Sequence, residues 1–188
     1  MIFTLSPRHT SQDFKDGWTL DDKIEVFIAR IEGWQLGVAE EIVNKKIKGR
    51  GLALLHILFS YFEMIGKYQD GVIEDGRTSR YYFLKGVKTT FPEIQSEEDK
   101  DFLQNLYTSV RNGLFHAGMP RSNVILQDNT PGSIGHIPGA NLLSINPDLL
   151  VKDLQFRFSE YASQLRDKTN TELRMKFEAR FDYHDEGF

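Results

Sequence analysis

Between Thr19 and Lys48 the apolar residues Ile24, Phe27, Ile31, Trp34, Val38 and Ile42 return every three or four positions. A helix turning about 100° per residue collects them into one stripe, so this long segment is constrained to lay one face on a core. Thr19 or Asp21 stands where a cap is needed, and the helix is expected to reach roughly Lys48. Gly33 and Gly37 weaken its propensity, which predicts a bend or the close approach of another segment. The same rhythm returns from about Leu52 to Tyr68. There Leu55, Leu58, Phe59, Phe62 and Ile65 form the inner face, with His56, Ser60, Glu63 and Lys67 as a polar line beside it.

Further along, Ser79 to Leu84, whose aromatics also permit a strand, is expected to open a shorter helix because it lies between longer helical patterns, set off by the turn residues Gln69-Asp70-Gly71 and Asp75-Gly76. Pro92 separates it from a helix running from about Glu97 to Ala117, where Leu103, Leu106, Tyr107, Val110 and Leu114 define the buried face. The acidic Glu97-Glu98-Asp99 suits the N-terminus of that helix, Gly118 a left-handed cap and Pro120 a stop. Ser122 to Asp128 and Asn141 to Asn146 read as extended runs that pair as a small hairpin, with Asn129 to Gly139 as a flexible excursion. Asn146 then caps a helix with Pro147 at its first position, expected to reach about Arg166. A last short helix spans Thr171 to Arg180 before a polar tail, and residues 1–19 form an irregular lead-in. The expectation is a mostly α chain forming one domain over residues 1–188, with a hairpin and loop insertion at 121–146.

Composition narrows the chemistry. Absence of cysteine removes disulfides, thiolate nucleophiles and cysteine zinc ligands. His9, His56, His136 and His184 show no compact ligand spacing, so neither a metal nor another cofactor is expected. The opening MIFTLSPRHTSQDF lacks a charged leader followed by an apolar run, and no stretch reaches the roughly 18–20 apolar residues that cross a bilayer. A soluble, cytoplasmic protein with no membrane partner is expected. With 23 basic and 27 acidic side chains, a net charge of -4 argues against broad coating of nucleic acid. A small phosphate-handling cleft remains compatible with that balance.

Such a cleft has a candidate in Arg111-Asn112-Gly113-Leu114-Phe115-His116. On a regular helix Arg111 and His116 diverge by about 140° and straddle the side opposite the apolar face, with Asn112 and Phe115 between them. A ring turned away from its own core is best explained by a partner surface, such as a second copy of the chain. The polar line of the second helix either faces solvent or lets Glu63 pair with Arg111 across the bundle and orient it. A second patch, Arg77, Arg80, Tyr81, Tyr82, Phe83 and Lys85, offers rings that stack bases beside cations that meet phosphates. The competing role for those residues is part core and part charged rim.

At Arg111 to His116 the chain resembles the HEPN superfamily, whose members carry an arginine, usually a polar residue next, and a histidine after a short interval on the penultimate core helix. The resemblance extends over roughly Leu20 to Arg166, including the helix that contains Tyr61-Phe62-Glu63. It implies an antiparallel helical bundle with the β-hairpin inserted before the last core helix. It also implies that Arg111 and His116 are the active pair, Asn112 the polar neighbour and Glu63 a supporting acid. The activity implied is metal-independent endoribonuclease cleavage: a 2′-hydroxyl attacks the adjacent phosphodiester, giving a 2′,3′-cyclic phosphate and a 5′-hydroxyl at a composite site in a homodimer. HEPN proteins often resemble toxins or defence nucleases, so an antitoxin or another regulatory protein is an implied partner. The alternative is a noncatalytic scaffold that binds RNA, a nucleotide or a protein through the same groove.

Overall fold

Helix α2, Arg50–Asp70, is the axis of the molecule: among the described residues, the other five helices all pack against it. Its inner face supplies Leu55, Leu58, Phe59, Phe62 and Ile65, none more than 1% exposed, as the periodicity predicts. The computed structural model describes residues 2–14, 17–71, 77–94, 99–137 and 140–185. Within them the chain is a mostly α-helical bundle with small β elements. Helix α1 comprises Leu20–Arg30, a π-helical stretch Ile31–Leu36, and Gly37–Asn44. Helix α3 is Ser79–Thr90, and α4 comprises Lys100–Asn105, a π-helical Leu106–Arg111, and Asn112–Ala117. Helices α5, Pro147–Arg166, and α6, Thr171–Asp185, complete the set. The expected α4 start at Glu97-Glu98 and the turn at Asp75-Gly76 lie outside the described residues.

Local chemistry sets several boundaries. Thr19 closes a reciprocal capping box with Asp22, its own N–H donating to the carboxylate at 2.8 Å while its hydroxyl accepts from the Asp22 N–H at 3.2 Å. Asn146 Oδ1 accepts from the Leu149 N–H at 3.1 Å, with Pro147 behind it. Gly118, at φ +73°, ends α4 by donating to the Leu114 carbonyl at 3.0 Å.

The π-helical stretch in α1 corrects its expected stripe. Wider turns with i→i+5 hydrogen bonds accommodate extra residues and move the phase of everything beyond them. Ile24 and Phe27 are buried as predicted, but Trp34 is 51% and Val38 43% exposed, and Leu36 and Ala39 take the inner positions instead. The lead-in is also more ordered than expected. Strands β1, Thr4–Ser6, and β2, His9–Thr10, form an antiparallel ribbon fastened to α1, whose Arg30 Nε donates to the Leu5 carbonyl at 2.7 Å. Pro7, in the turn of this ribbon, fills the space a Cβ on Gly33 would need. A close approach at that glycine is therefore realised.

The insertion at 121–146 is a three-stranded mixed sheet, which overturns the expected hairpin. Strands β3, Val124–Leu126, and β5, Leu143–Ile145, are the two extended runs, but they pair in parallel. The antiparallel partner of β5 is β4, Ile134–His136, inside the segment read as a flexible excursion, two residues of which, Pro138 and Gly139, lie outside the described residues. The reason is burial: Leu143, Ser144 and Ile145 are all buried, so both hydrogen-bonding edges of β5 require partners. A single neighbour satisfies one edge only.

The tightest packing is where α3 crosses α2. A Cβ on Gly66 would collide with the Tyr82 carbonyl, and one on Gly86 with the Phe62 carbonyl, so the two backbones touch. Gly86→Ala and Gly66→Ala are each expected to lower stability by about 1–3 kcal/mol through overpacking, although helix propensity alone predicts a gain of about 1 kcal/mol. Chemical denaturation reads the sign. Gly135→Ala in β4, where a Cβ meets open space, is the control expected to stay near neutral.

Candidate functional site

Arg111 is the last residue of the π-helical stretch in α4, and it does not point outward as a regular helix predicts. Asn112 N–H reaches back five residues to the Tyr107 carbonyl, so a constant 100° per residue does not hold here. The Arg111 side chain is 15% exposed and turns toward α2 and α3. Its Nη2 donates to Glu63 Oε2 and to Ser79 Oγ, both at 2.8 Å, and Nη1 contacts Asn112 Oδ1 at 3.4 Å. The guanidinium carbon lies 5.7 Å from the Tyr107 ring centroid and 4.8 Å from that of Phe115, so the cation rests on two aromatic rings. Pairing of Glu63 with Arg111 across the bundle is thus present in the structure.

Glu63 is the hinge of this network. Its other oxygen, Oε1, accepts from Lys67 Nζ at 2.8 Å, one helical turn away. Burial by itself would raise the Glu63 pKa, but hydrogen bonds from Lys67, Ser79 and Arg111 outweigh it and hold the carboxyl below its ordinary value of 4.5.

Arg111, Phe115, Glu63 and Lys67 line an open cleft of about 480 Å³. Arg30 and Ile31 reach it from α1, and Arg180 and His184 from α6. Phe27, Phe59 and Tyr68 are among its apolar walls. Among the described residues of the lining, four permanent cations and one carboxylate make this a locally basic concavity in a chain of net charge -4. Phe115 is 47% exposed and stands between Arg111 and His56, whose ring lies 6.4 Å away edge-on. His56 Nε2 is 3.2 Å from the Gly118 carbonyl, tying α2 to the end of α4. His116 is exposed in the last turn of α4 but is not among the residues lining the cleft that holds its own Arg111. The structure brings Glu63, Arg111, Asn112 and Phe115 together and leaves His116 on the adjoining surface.

Gly113 has a packing reason. A Cβ there would lie 2.6 Å from the Met119 carbonyl and 2.9 Å from Pro120 Cα, because the chain leaving α4 folds back over it.

The second patch is largely engaged with its own fold. Asp70 receives both Arg77 Nη1, at 2.5 Å, and Lys85 Nζ, while Arg80 donates to Gln104. Tyr82 and Phe83 are buried, which leaves Tyr81, covered on one face by Arg77 at 4.5 Å. Part core and part charged rim describes these residues. Among the described residues there is no group of three or more His, Cys, Asp or Glu arranged to hold a metal ion, and no helix is long and apolar enough to cross a membrane.

Arg180 and His184 were not expected at the site, since the last helix was read as ending at Arg180. Leu173, Phe177 and Phe181, four residues apart, carry the signal that it continues. Phe177 and Phe181 are buried in the core, and Arg174 is fastened to Asp21 at 2.6 Å. With those anchors, Arg180 and His184 project together one turn apart. Comparison of the chain with protein-family models, curated proteins and solved structures gives no match.

A depressed carboxyl contributes stability that is present above its unfolded pKa and lost as pH falls through its lower folded value. Wild-type stability is therefore expected to drop below about pH 4.5 in part through Glu63. Glu63→Gln is expected to be less stable at neutral pH and to show a shallower acid limb in denaturation measured against pH.

Proposed function

We propose that this chain is a metal-independent endoribonuclease of HEPN type. The observation that carries the reading is Arg111, a permanent cation held in a basic cleft by Glu63 and Ser79, one turn of helix from an exposed aromatic ring and imidazole. Guanidinium offers a planar fork to the equatorial oxygens of a developing phosphorane, and pre-set donors need no reorganisation as charge builds. RNA is the substrate class because the attacking nucleophile is the neighbouring 2′-hydroxyl, which DNA lacks. His116 supplies an imidazole able to exchange a proton with the reacting oxygens, and Asn112 a side-chain amide beside the guanidinium.

The position of His116 supports a homodimer as the active form. It stands outside the cleft of its own chain, next to the exposed Phe115, so two-fold apposition of these surfaces would deliver His116 of a second copy to the mouth of each cleft. Phe115 then becomes interface, which accounts for an exposed ring held between Arg111 and His56. A noncatalytic binding scaffold is the second reading, favoured by one observation: Arg111 Nη2 is already committed to Glu63 and Ser79, and a phosphate must share or displace those partners.

Purified protein incubated in chelator with single-stranded and structured RNA is expected to give products ending in 2′,3′-cyclic phosphate. His116→Ala is expected to slow cleavage by about 10²–10⁴-fold while dimerisation and helical content persist. Arg111→Lys, which keeps the charge but loses the fork, is expected to be strongly impaired as well. Cleavage unchanged in both variants rejects the assignment, and tight binding without scission by a folded dimer favours the scaffold.

A further inference from the structure

In-line cleavage by a 2′-hydroxyl needs two proton transfers on opposite sides of phosphorus. The 2′ oxygen forms its bond to phosphorus as its proton passes to a base. The bond from phosphorus to the 5′ oxygen breaks as an acid delivers a proton to that oxygen. One imidazole cannot stand on both sides of the same phosphorus at once. We infer that His184, brought to the Arg111 cleft by α6 of the same chain, is the second proton-transferring group of this site. This rests on the ribonuclease reading above and adds to it a residue from outside the motif helix.

Several observations carry the assignment. His184 is the one histidine among the residues lining the cleft that contains Arg111 and Phe115. It is exposed, so a bound linkage has access to its ring. It extends from a helix anchored by buried Phe177 and Phe181 and by the pairs of Arg174 with Asp21 and Lys23 with Glu178 at 2.9 Å, and so from a rigid element. Arg180, one turn earlier, lines the same cleft with its guanidinium over the Tyr183 ring at 5.2 Å and adds a second arginine cation to Arg111. Among the described residues, the charged groups sharing the cavity with the imidazole are Arg30 from α1, Glu63 and Lys67 from α2, Arg111 from α4 and Arg180 from α6. Glu63 is committed to Lys67 and Arg111, and an imidazole is the side-chain type suited to exchanging a proton with the reacting oxygens. With His184 in place, each cleft requires only one His116 from a second copy, and the two His116 side chains need not meet at a single phosphate.

The test compares wild type, His184→Ala, His184→Gln and His116→Ala on the same RNA in chelator, with kcat and KM measured across pH. Both His184 variants are expected to retain helical content and dimerisation. Each should lose about 10²–10⁴-fold in kcat with little change in KM, and the bell-shaped pH profile of the wild type should lose one limb. Scission by wild type together with unchanged kcat and an intact bell in the His184 variants overturns this assignment alone. Absence of scission by wild type overturns it together with the ribonuclease reading.

Discussion

Two glycines, Gly66 and Gly86, let α2 and α3 meet backbone to backbone, and the rest of the arrangement depends on that contact. With any side chain at either position the helices would stand apart by the width of a methyl group or more. Ser79, at the first turn of α3, and Glu63, one turn before Gly66, would then no longer converge on one nitrogen of Arg111. Neither glycine is among the residues lining the cleft, yet the crossing determines how closely the polar groups there can gather.

What gathers there is an internally compensated cation. Arg111 is drawn off the surface by a carboxylate, a hydroxyl and two ring faces, and Lys67 completes the local balance around Glu63. A side chain so held has lost its conformational freedom before any ligand arrives, which lowers the entropic cost of engaging an anion. The same restraint sets a threshold. A ligand must offer more to the guanidinium than Glu63 does, and a doubly coordinated phosphate oxygen pair is better suited to that fork than a water molecule or a lone chloride.

Much of this was legible in the residue order because it depends on local chemistry. Thr19 with Asp22, Gly118, and Asn146 with Pro147 mark helix ends through contacts between near neighbours. The stripe on α2 followed from a regular helical phase, whereas the meeting of Glu63 with Arg111 was one of two arrangements open to the polar line. Errors arose where that phase breaks. The π-helical stretches turned Trp34 and Val38 outward and Arg111 inward, and periodicity measured at a fixed angle cannot register an added residue. The parallel β3–β5 pairing and the arrival of Arg180 and His184 at the cleft are products of long-range packing, which spacing along the chain does not encode. Phe181, four residues past Phe177, was the available local sign of the latter.

The widened turn in α4 is not self-contained. Arg121 N–H donates to the Ser109 carbonyl at 2.8 Å, Met119 N–H to the Gly113 carbonyl at 3.3 Å, and the peptide strap between them lies in the gap that Gly113 leaves open. The loosened coil and the strap that seals it are two halves of one splice. Deleting a single residue from Leu106–Arg111 would let the coil close to ordinary α-helical turns, removing the widened turn that the strap seals. The bulge, the glycine and the returning strap therefore hold this arginine in place as one unit.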